Sequence, residues 1–198
     1  MIAMFERCEL SREDWKKIKQ KCDEENIIFL STPENISDLD FLIELGMKAI
    51  KIGSDDFTNI SMIKKFSETK LPIIISCGMS NLDEIRTTIS EINNKSAYPL
   101  ILMFTTSQYP VPDVDVNMLK LKTIRDEFSD IILGYSDHTQ GSIASILANT
   151  LGAKVFEKHF TIDKNLPGPD HWFSASPDEL EEWNKSIKRS WIMLGNNE

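Results

Sequence analysis

The sequence predicts an α/β protein, a TIM-type (β/α) barrel of which six strands are visible. Three observations predict it. Apolar, β-branched runs alternate with amphipathic helical patterns along the chain, as parallel βαβ units require. Nearly every apolar run ends in polar residues, which places chemistry at strand C-termini, the rim where barrel active sites sit. No linker, repeat or low-complexity stretch interrupts the series, so the 198 residues read as one domain.

A helix comes first. "SREDWKKIKQKCDEEN" sets Trp15, Ile18 and Cys22 on one stripe, with Ser11 as N-cap and Asp14 three residues on. "IIFLSTP" (27–33) then reads as a strand. So do "AIKIGS" (49–54), "PIIISCGM" (72–79), "PLILMFTTS" (99–107), "IILGYSDH" (131–138) and "AKVFEKHFT" (153–161). Their unbroken apolarity predicts strands buried on both faces, since a half-exposed strand alternates. Helices fill the gaps. "NISDLDFLIELG" ends on Gly46, placed to take the C′ position. "NLDEIRTTISEINN" starts at Asn81 and carries Ile85, Ile89 and Ile92. "VNMLKLKTIRDEF" and "SIASILANTLG" repeat the theme, the second closing on Gly152. "SPDELEEWNKSIKRSWIMLG" opens with Ser176 and Pro177, a cap followed by a proline at the first helical position.

The polar strand ends are Ser31-Thr32, Lys51…Ser54…Asp56, Ser76-Cys77-Gly78, Thr105-Thr106-Ser107, Ser136-Asp137-His138 and Glu157-Lys158-His159. After one strand a polar loop means little. After six it describes a rim, whereas an open doubly wound sheet concentrates its ligand groups near a switch point. Lys51 and Lys158 end buried strands, so each requires a charged partner or a ligand.

Composition excludes several classes. A net charge of −9 and the absence of a basic stripe exclude nucleic acid as a partner. The longest apolar runs are far too short to cross a bilayer. "MIAMFERCELSRED" has no cationic start followed by an apolar stretch, so no secretory signal is expected. Cys8, Cys22 and Cys77 cannot all pair and have no CxxC spacing, which fits a reduced, cytoplasmic setting. Cys77 has no base beside it in sequence, so it does not read as a nucleophile.

His138 ends one strand and His159 the next. Adjacent parallel strands lie roughly 5 Å apart, so two neutral imidazoles at matched positions can share one divalent ion and leave sites open for water and substrate. Two histidines without a thiolate suit Mn²⁺, Zn²⁺ or Fe²⁺. His171, in the turn-rich "LPGPDHW", either touches substrate or caps the turn.

"KIGS", "PIIISCGM", "TSQYP", "GYSDHTQG", "FEKHF" and "PGPDHWFS", in that order, resemble the sialic acid synthase family over essentially the whole chain. The combination of "SDHT", "EKHF" and "PGPDH" is the specific part. The resemblance implies condensation of phosphoenolpyruvate with an N-acetylated amino-sugar in its open-chain form. The product is a nonulosonic acid of sialic, legionaminic or pseudaminic type, with phosphate leaving by C–O cleavage. It implies a divalent metal, most often Mn²⁺, held by His138 and His159. It implies a phosphoenolpyruvate site of Lys51 and Ser54 with contacts from Thr32, Ser76, Ser136, Ser107 and Tyr109, although some members carry Asn in place of Ser107. Asp56 stands where the family commonly has Glu, as the acid that holds or deprotonates the attacking water. Asp170 matches the substrate-facing aspartate of the Pro-Gly-Pro-Asp turn.

The same resemblance implies that about six of eight βα units, strands 3–8, lie in residues 1–198. By the same resemblance, the family's first two strands and its C-terminal antifreeze-like domain are expected to be absent from these residues. Full-length members are expected as homodimers, and the 198-residue chain alone is expected to be inactive. Two other readings stand beside the synthase: a non-catalytic remnant that binds metal or phosphoenolpyruvate only, and another metal-dependent barrel aldolase or hydrolase.

Overall fold

The computed structural model describes residues 6–93 and 98–195. Residues 1–5 and 196–198, and Asn94 at the end of the expected helix from Asn81, lie outside the described residues. Helices α1 (Arg12–Glu24) and α2 (Ile36–Glu44) precede the first strand. Then follow β1 (Ile50–Ile52), α3 (Ile60–Glu68), β2 (Ile73–Ser76), α4 (Leu82–Asn93) and β3 (Leu100–Phe104). The chain continues through α5 (Leu119–Glu127), β4 (Ile132–Asp137), α6 (Ile143–Thr150), β5 (Val155–Lys158) and α7 (Pro177–Leu194). The five strands form one parallel sheet in chain order, curled into an open half-barrel.

Local chemistry starts and stops the helices where the residues predict. Ser11 accepts from the Asp14 amide and Asn35 from the Asp38 amide. Asn81 Oδ1 accepts from the Asp83 and Glu84 amides at the head of α4. Ser176 and Glu179 make a reciprocal capping box at α7, with Pro177 behind it. Gly46 (φ 95°) and Gly152 (φ 108°) close α2 and α6 in the left-handed region that a Cβ disfavours.

The core lies between the sheet and its helices. Ile50, Ile52, Ile73, Ile75 and Leu102 are buried there, with Ile63 and Phe66 of α3, Ile89 and Ile92 of α4 and Leu121 of α5. Each such aliphatic side chain contributes about 1.5–3 kcal/mol by leaving water. The other sheet face is less covered: Ile74, Ile101 and Val155 are half-buried and Ile132 is 42% exposed. The expectation of strands buried on both faces therefore holds on the helix side and, on the inner side, only toward the strand C-termini, where Lys51, Ser76, Met103 and Ser136 are buried. A half-barrel has no opposite wall among the described residues to cover its inner face.

A second expectation also changes. The run at 27–33 is not a sheet strand, so the sheet has five strands and not six. It contributes one bridge, Ser31 to Ile50, in which the Lys51 amide donates to the Ser31 carbonyl at 3.1 Å. Phe29 is buried against Trp15, with ring centroids 6.2 Å apart, whereas Ile28 is 72% and Leu30 40% exposed. Pairing on one edge and burial on one face leave too little to hold a ladder. The other strands are shorter than their apolar runs, because the polar residues at each end turn away into the rim.

Candidate active site

Strand alternation builds the site. In the β4–β5 register Ser136 stands beside Glu157, and Asp137 beside Lys158. Successive side chains point to opposite faces. Ser136 and Glu157 thus face the half-barrel interior, and Asp137 and Lys158 face the helices. His138 and His159 face inward again, with ring centroids 5.3 Å apart.

The inward groups meet in an open cleft of about 450 Å³. It joins Lys51, Ser54, Ser76, Ser107, Tyr109, Ser136, His138 and His159. Lys51 is buried, and its ammonium donates to Ser76 Oγ at 2.9 Å and to the Ile52 carbonyl at 3.3 Å. Glu157 Oε2 lies 3.7 Å from the same ammonium. Ser136 donates to Glu157 Oε1 at 2.7 Å. Ser54 Oγ accepts from the Gly78 amide at 3.1 Å. A Cβ on Gly78 would come within 2.5 Å of Thr105 Cγ2 and 2.8 Å of Ser107 Oγ, so a larger residue there would make these rim side chains shift. One lysine ringed by hydroxyls and an amide is a cradle for a polyanion.

The imidazoles occupy the other end. His138 Nδ1 lies 2.9 Å from the Thr106 carbonyl and 3.3 Å from Thr105 Oγ1. A carbonyl only accepts, so Nδ1 carries the proton. Nε2 lies 3.2 Å from Ser136 Oγ, whose one proton goes to Glu157, so Nε2 keeps its lone pair. Burial pushes the His138 pKa below the usual imidazole value, which favours the neutral ligand form. A backbone carbonyl on one nitrogen and a free lone pair on the other is how proteins present a metal-ligating histidine. His159 Nδ1 lies 3.7 Å from Asp170 Oδ2. Tyr109 stands 4.3 Å from the His138 ring and 5.4 Å from the His159 ring, and Phe173 stands 5.0 Å from His159. Burial, then the charges of Asp170, Glu157 and Asp55, push the Tyr109 hydroxyl pKa up.

Three expected residues stand at the margin. Asp170 reaches the cleft through His159. Thr32 is exposed in an adjoining cleft with Ser31 and Glu34. Asp56 lies with Glu34 and Asp55, whose carboxylate oxygens fall within 4.8 Å of one another, and accepts from Asn59 Nδ2 at 3.1 Å. Asp55, rather than Asp56, lines the main cleft. Partial burial, then the charges of Asp55 and Asp56, push the Glu34 pKa up. His171 is bound to Thr161 Oγ1 at 2.8 Å within its own turn. Cys77 is buried, and burial pushes its thiol up to about 12, which removes it as a nucleophile. Sequence reasoning gave Glu157 no role. The signal was present in the matched alternation of "SDH" and "EKH", which puts Glu157 beside Ser136.

A profile of the NeuB family matches residues 1–198. The chain belongs to the NeuB family. It is 42% identical over 200 residues to the N,N'-diacetyllegionaminic acid synthase of Legionella pneumophila, covering 98% of this chain and 56% of that protein. It is 32% identical over 187 residues to the N-acetylneuraminate-9-phosphate synthase of Homo sapiens, covering 94% and 52%. The crystal structure of the Leptospira borgpetersenii sialic acid synthetase shares the fold with a TM-score of 0.94 at 31% identity, over 100% of this chain and 68% of that one. Among the curated relatives the chain spans about half of their length, from 49% to 58%. NeuB relatives are thus synthases of sialic-type acids, and the chain corresponds to part of such an enzyme.

Proposed function

We propose that this chain carries the anion- and metal-binding core of a nonulosonic acid synthase, which condenses phosphoenolpyruvate with an N-acetylated amino-sugar aldehyde and releases phosphate. One observation carries the reading. Lys51, Ser76 and Ser136 converge with His138 and His159 in a single cleft of a chain whose relatives are synthases of such acids.

Phosphoenolpyruvate is a polyanion, and Lys51 with Ser54, Ser76 and Ser136 would hold its phosphate and carboxylate. Ser107 and Tyr109 line the same cleft, and Thr32 would reach the site from the adjoining one. Glu157, 3.7 Å from the Lys51 ammonium, is its counter-charge in the cleft. His138 Nε2 and His159 would hold a divalent ion, which we assign as Mn²⁺; the nitrogen-only donor set also suits Zn²⁺ or Fe²⁺. When bound, such an ion supplies a Lewis acid for an aldehyde oxygen. Asp56, beside the cleft-lining Asp55, is the acid assigned to the attacking water, and Asp170 faces the acceptor sugar while orienting His159. No described helix is long and apolar enough to cross a membrane, which is compatible with cytoplasmic work on soluble substrates.

Two ligands and part of an anion site do not complete a catalytic constellation. Misplacement by about 1 Å can cost roughly a hundredfold. The chain alone is therefore expected to bind its ligands but turn over negligibly. Mn²⁺ titration followed by electron paramagnetic resonance tests the metal site: His138→Ala and His159→Ala should each abolish binding. Stoichiometric metal in both variants would sink the assignment. Phosphate release from phosphoenolpyruvate with a panel of N-acetylated hexosamines tests turnover. A rate within about tenfold of a full-length relative would show that the remaining parts contribute little.

A further inference from the structure

The helix-facing pair Asp137 and Lys158 takes no part in the cleft, yet it flanks both imidazoles. Lys158 Nζ lies 3.1 Å from Asp137 Oδ2, with side chains 7% and 0% exposed. The ammonium also donates to the Thr139 carbonyl at 2.8 Å and the Gly141 carbonyl at 3.2 Å. Asp137 Oδ1 accepts from the Thr139 amide at 2.9 Å and from its hydroxyl at 2.8 Å. Asp137 Oδ2 accepts from Ser145 of α6 at 2.6 Å and from the indole N–H of Trp183 of α7 at 3.1 Å.

These contacts fall at one place. The ladder between β4 and β5 ends at the Asp137–Lys158 pair, one residue before each imidazole, and beyond it the His138 carbonyl accepts from the Val111 amide at 3.0 Å. Residues 137 and 139, on either side of His138, are both tied to Lys158, and Lys158 adjoins His159. On its far side, His159 accepts through its carbonyl from the Ala175 amide at 2.8 Å. A buried ion pair can often be replaced by well-packed apolar side chains without loss of stability, so stability alone does not account for this arrangement.

We infer that the Asp137–Lys158 pair, anchored to α7 through Trp183, is the positioning device that sets the spacing and aim of His138 and His159. Its residues touch neither metal nor substrate; they act through the backbone that carries the two imidazoles. The inference rests on the proposed metal role of the histidines, but it also predicts a property of the metal-free chain.

The test is the double variant Asp137→Asn with Lys158→Met. It removes both charges and leaves no lone buried ion, and Asn can still accept from the Thr139 amide. The thermal midpoint should stay within about 4 °C of wild type. Mn²⁺ affinity should fall roughly 10- to 100-fold, the range for outer-shell partners of metal-ligating histidines. In the metal-free chain, the imidazole ¹H–¹⁵N signals of His138 and His159 should shift or broaden. His171, bound to Thr161, is the internal control and should not move. A folded double variant with wild-type Mn²⁺ affinity and three unmoved imidazole signals overturns the inference. If the double variant fails to fold, Trp183→Phe removes the indole donor, together with part of the ring, and leaves both charges in place. It should shift the His138 signal, and an unmoved spectrum there counts equally against the idea. If wild type binds no Mn²⁺, or His138→Ala binds it undiminished, the ligand assignment fails, and the metal-free spectra still decide the positioning claim.

Discussion

Lys51 lies at the centre of β1 and Lys158 ends β5, and both meet a carboxylate, but the two pairs are built differently. The Lys158–Asp137 contact is 3.1 Å long and almost wholly buried, and every charged atom has further partners from the protein. The Lys51–Glu157 contact is 3.7 Å long, and the Glu157 side chain is 42% exposed to the cleft. The first pair faces helices and is saturated. The second faces a cleft and is loose, and its lysine has hydrogen-bonding capacity to offer an incoming anion. The same pairing of a lysine with a carboxylate thus becomes scaffold or binding site according to the sheet face on which it lies.

Breaking the saturated pair should give the largest effect. Asp137→Ala leaves a buried ammonium without its counter-charge, and unfolding in urea should show a loss of about 3–5 kcal/mol. A loss below about 1 kcal/mol would mean that water reaches Lys158, and the contrast between the pairs would collapse.

Lys51→Ala should behave in the opposite way. It leaves Glu157 partly solvated, so stability should change by less than about 1 kcal/mol. Phosphoenolpyruvate binding should weaken by about 1.5–3 kcal/mol, the range for hydrogen bonds to a charged group, while Mn²⁺ binding is retained. Calorimetric titration of each ligand separates the two outcomes, and an unchanged phosphoenolpyruvate affinity would remove Lys51 from the anion site.

Gly78→Ala sharpens the boundary of the cleft. Its Cβ would collide with Thr105 and Ser107, and forced overpacking of this kind costs about 1–3 kcal/mol. Thermal unfolding would detect it, and a neutral result would show that the two rim loops have slack.

The smallest effect is expected from Glu157→Gln. The amide keeps an acceptor for Ser136 and takes away the carboxylate that competes for Lys51. Stability should fall by no more than about 1 kcal/mol, because the contact is long and Glu157 is half-solvated even though Lys51 is buried, and phosphate affinity should rise. Weaker phosphate binding in this variant would assign Glu157 a direct role in holding the anion.

Much of this was legible in the residues. Ser11, Asn81, Ser176, Gly46 and Gly152 mark helix ends because their effects act within one turn of chain. The polar ends of the apolar runs located the rim, since strands in a parallel sheet all finish on the same side. The resemblance of "SDHT" and "EKHF" to one family picked out the two imidazoles. Two features were not legible. The run at 27–33 has the composition of a buried strand, but whether such a run joins a ladder depends on neighbours outside it. Glu157 read only as one polar residue of a strand end, because its place beside Ser136 depends on the register of β4 on β5.

Local chemistry, acting over a few residues, was enough to dictate the helices, their caps, the parallel order and the placing of chemistry at strand C-termini. Tertiary structure decided the rest. The register of β4 on β5 turned Asp137 and Lys158 outward into a sealed pair and turned Ser136, Glu157, His138 and His159 inward to the cleft. Register is set by the pairing of segments about twenty residues apart in sequence, and a slip of one residue would exchange the two faces. No single stretch of the chain carries that information.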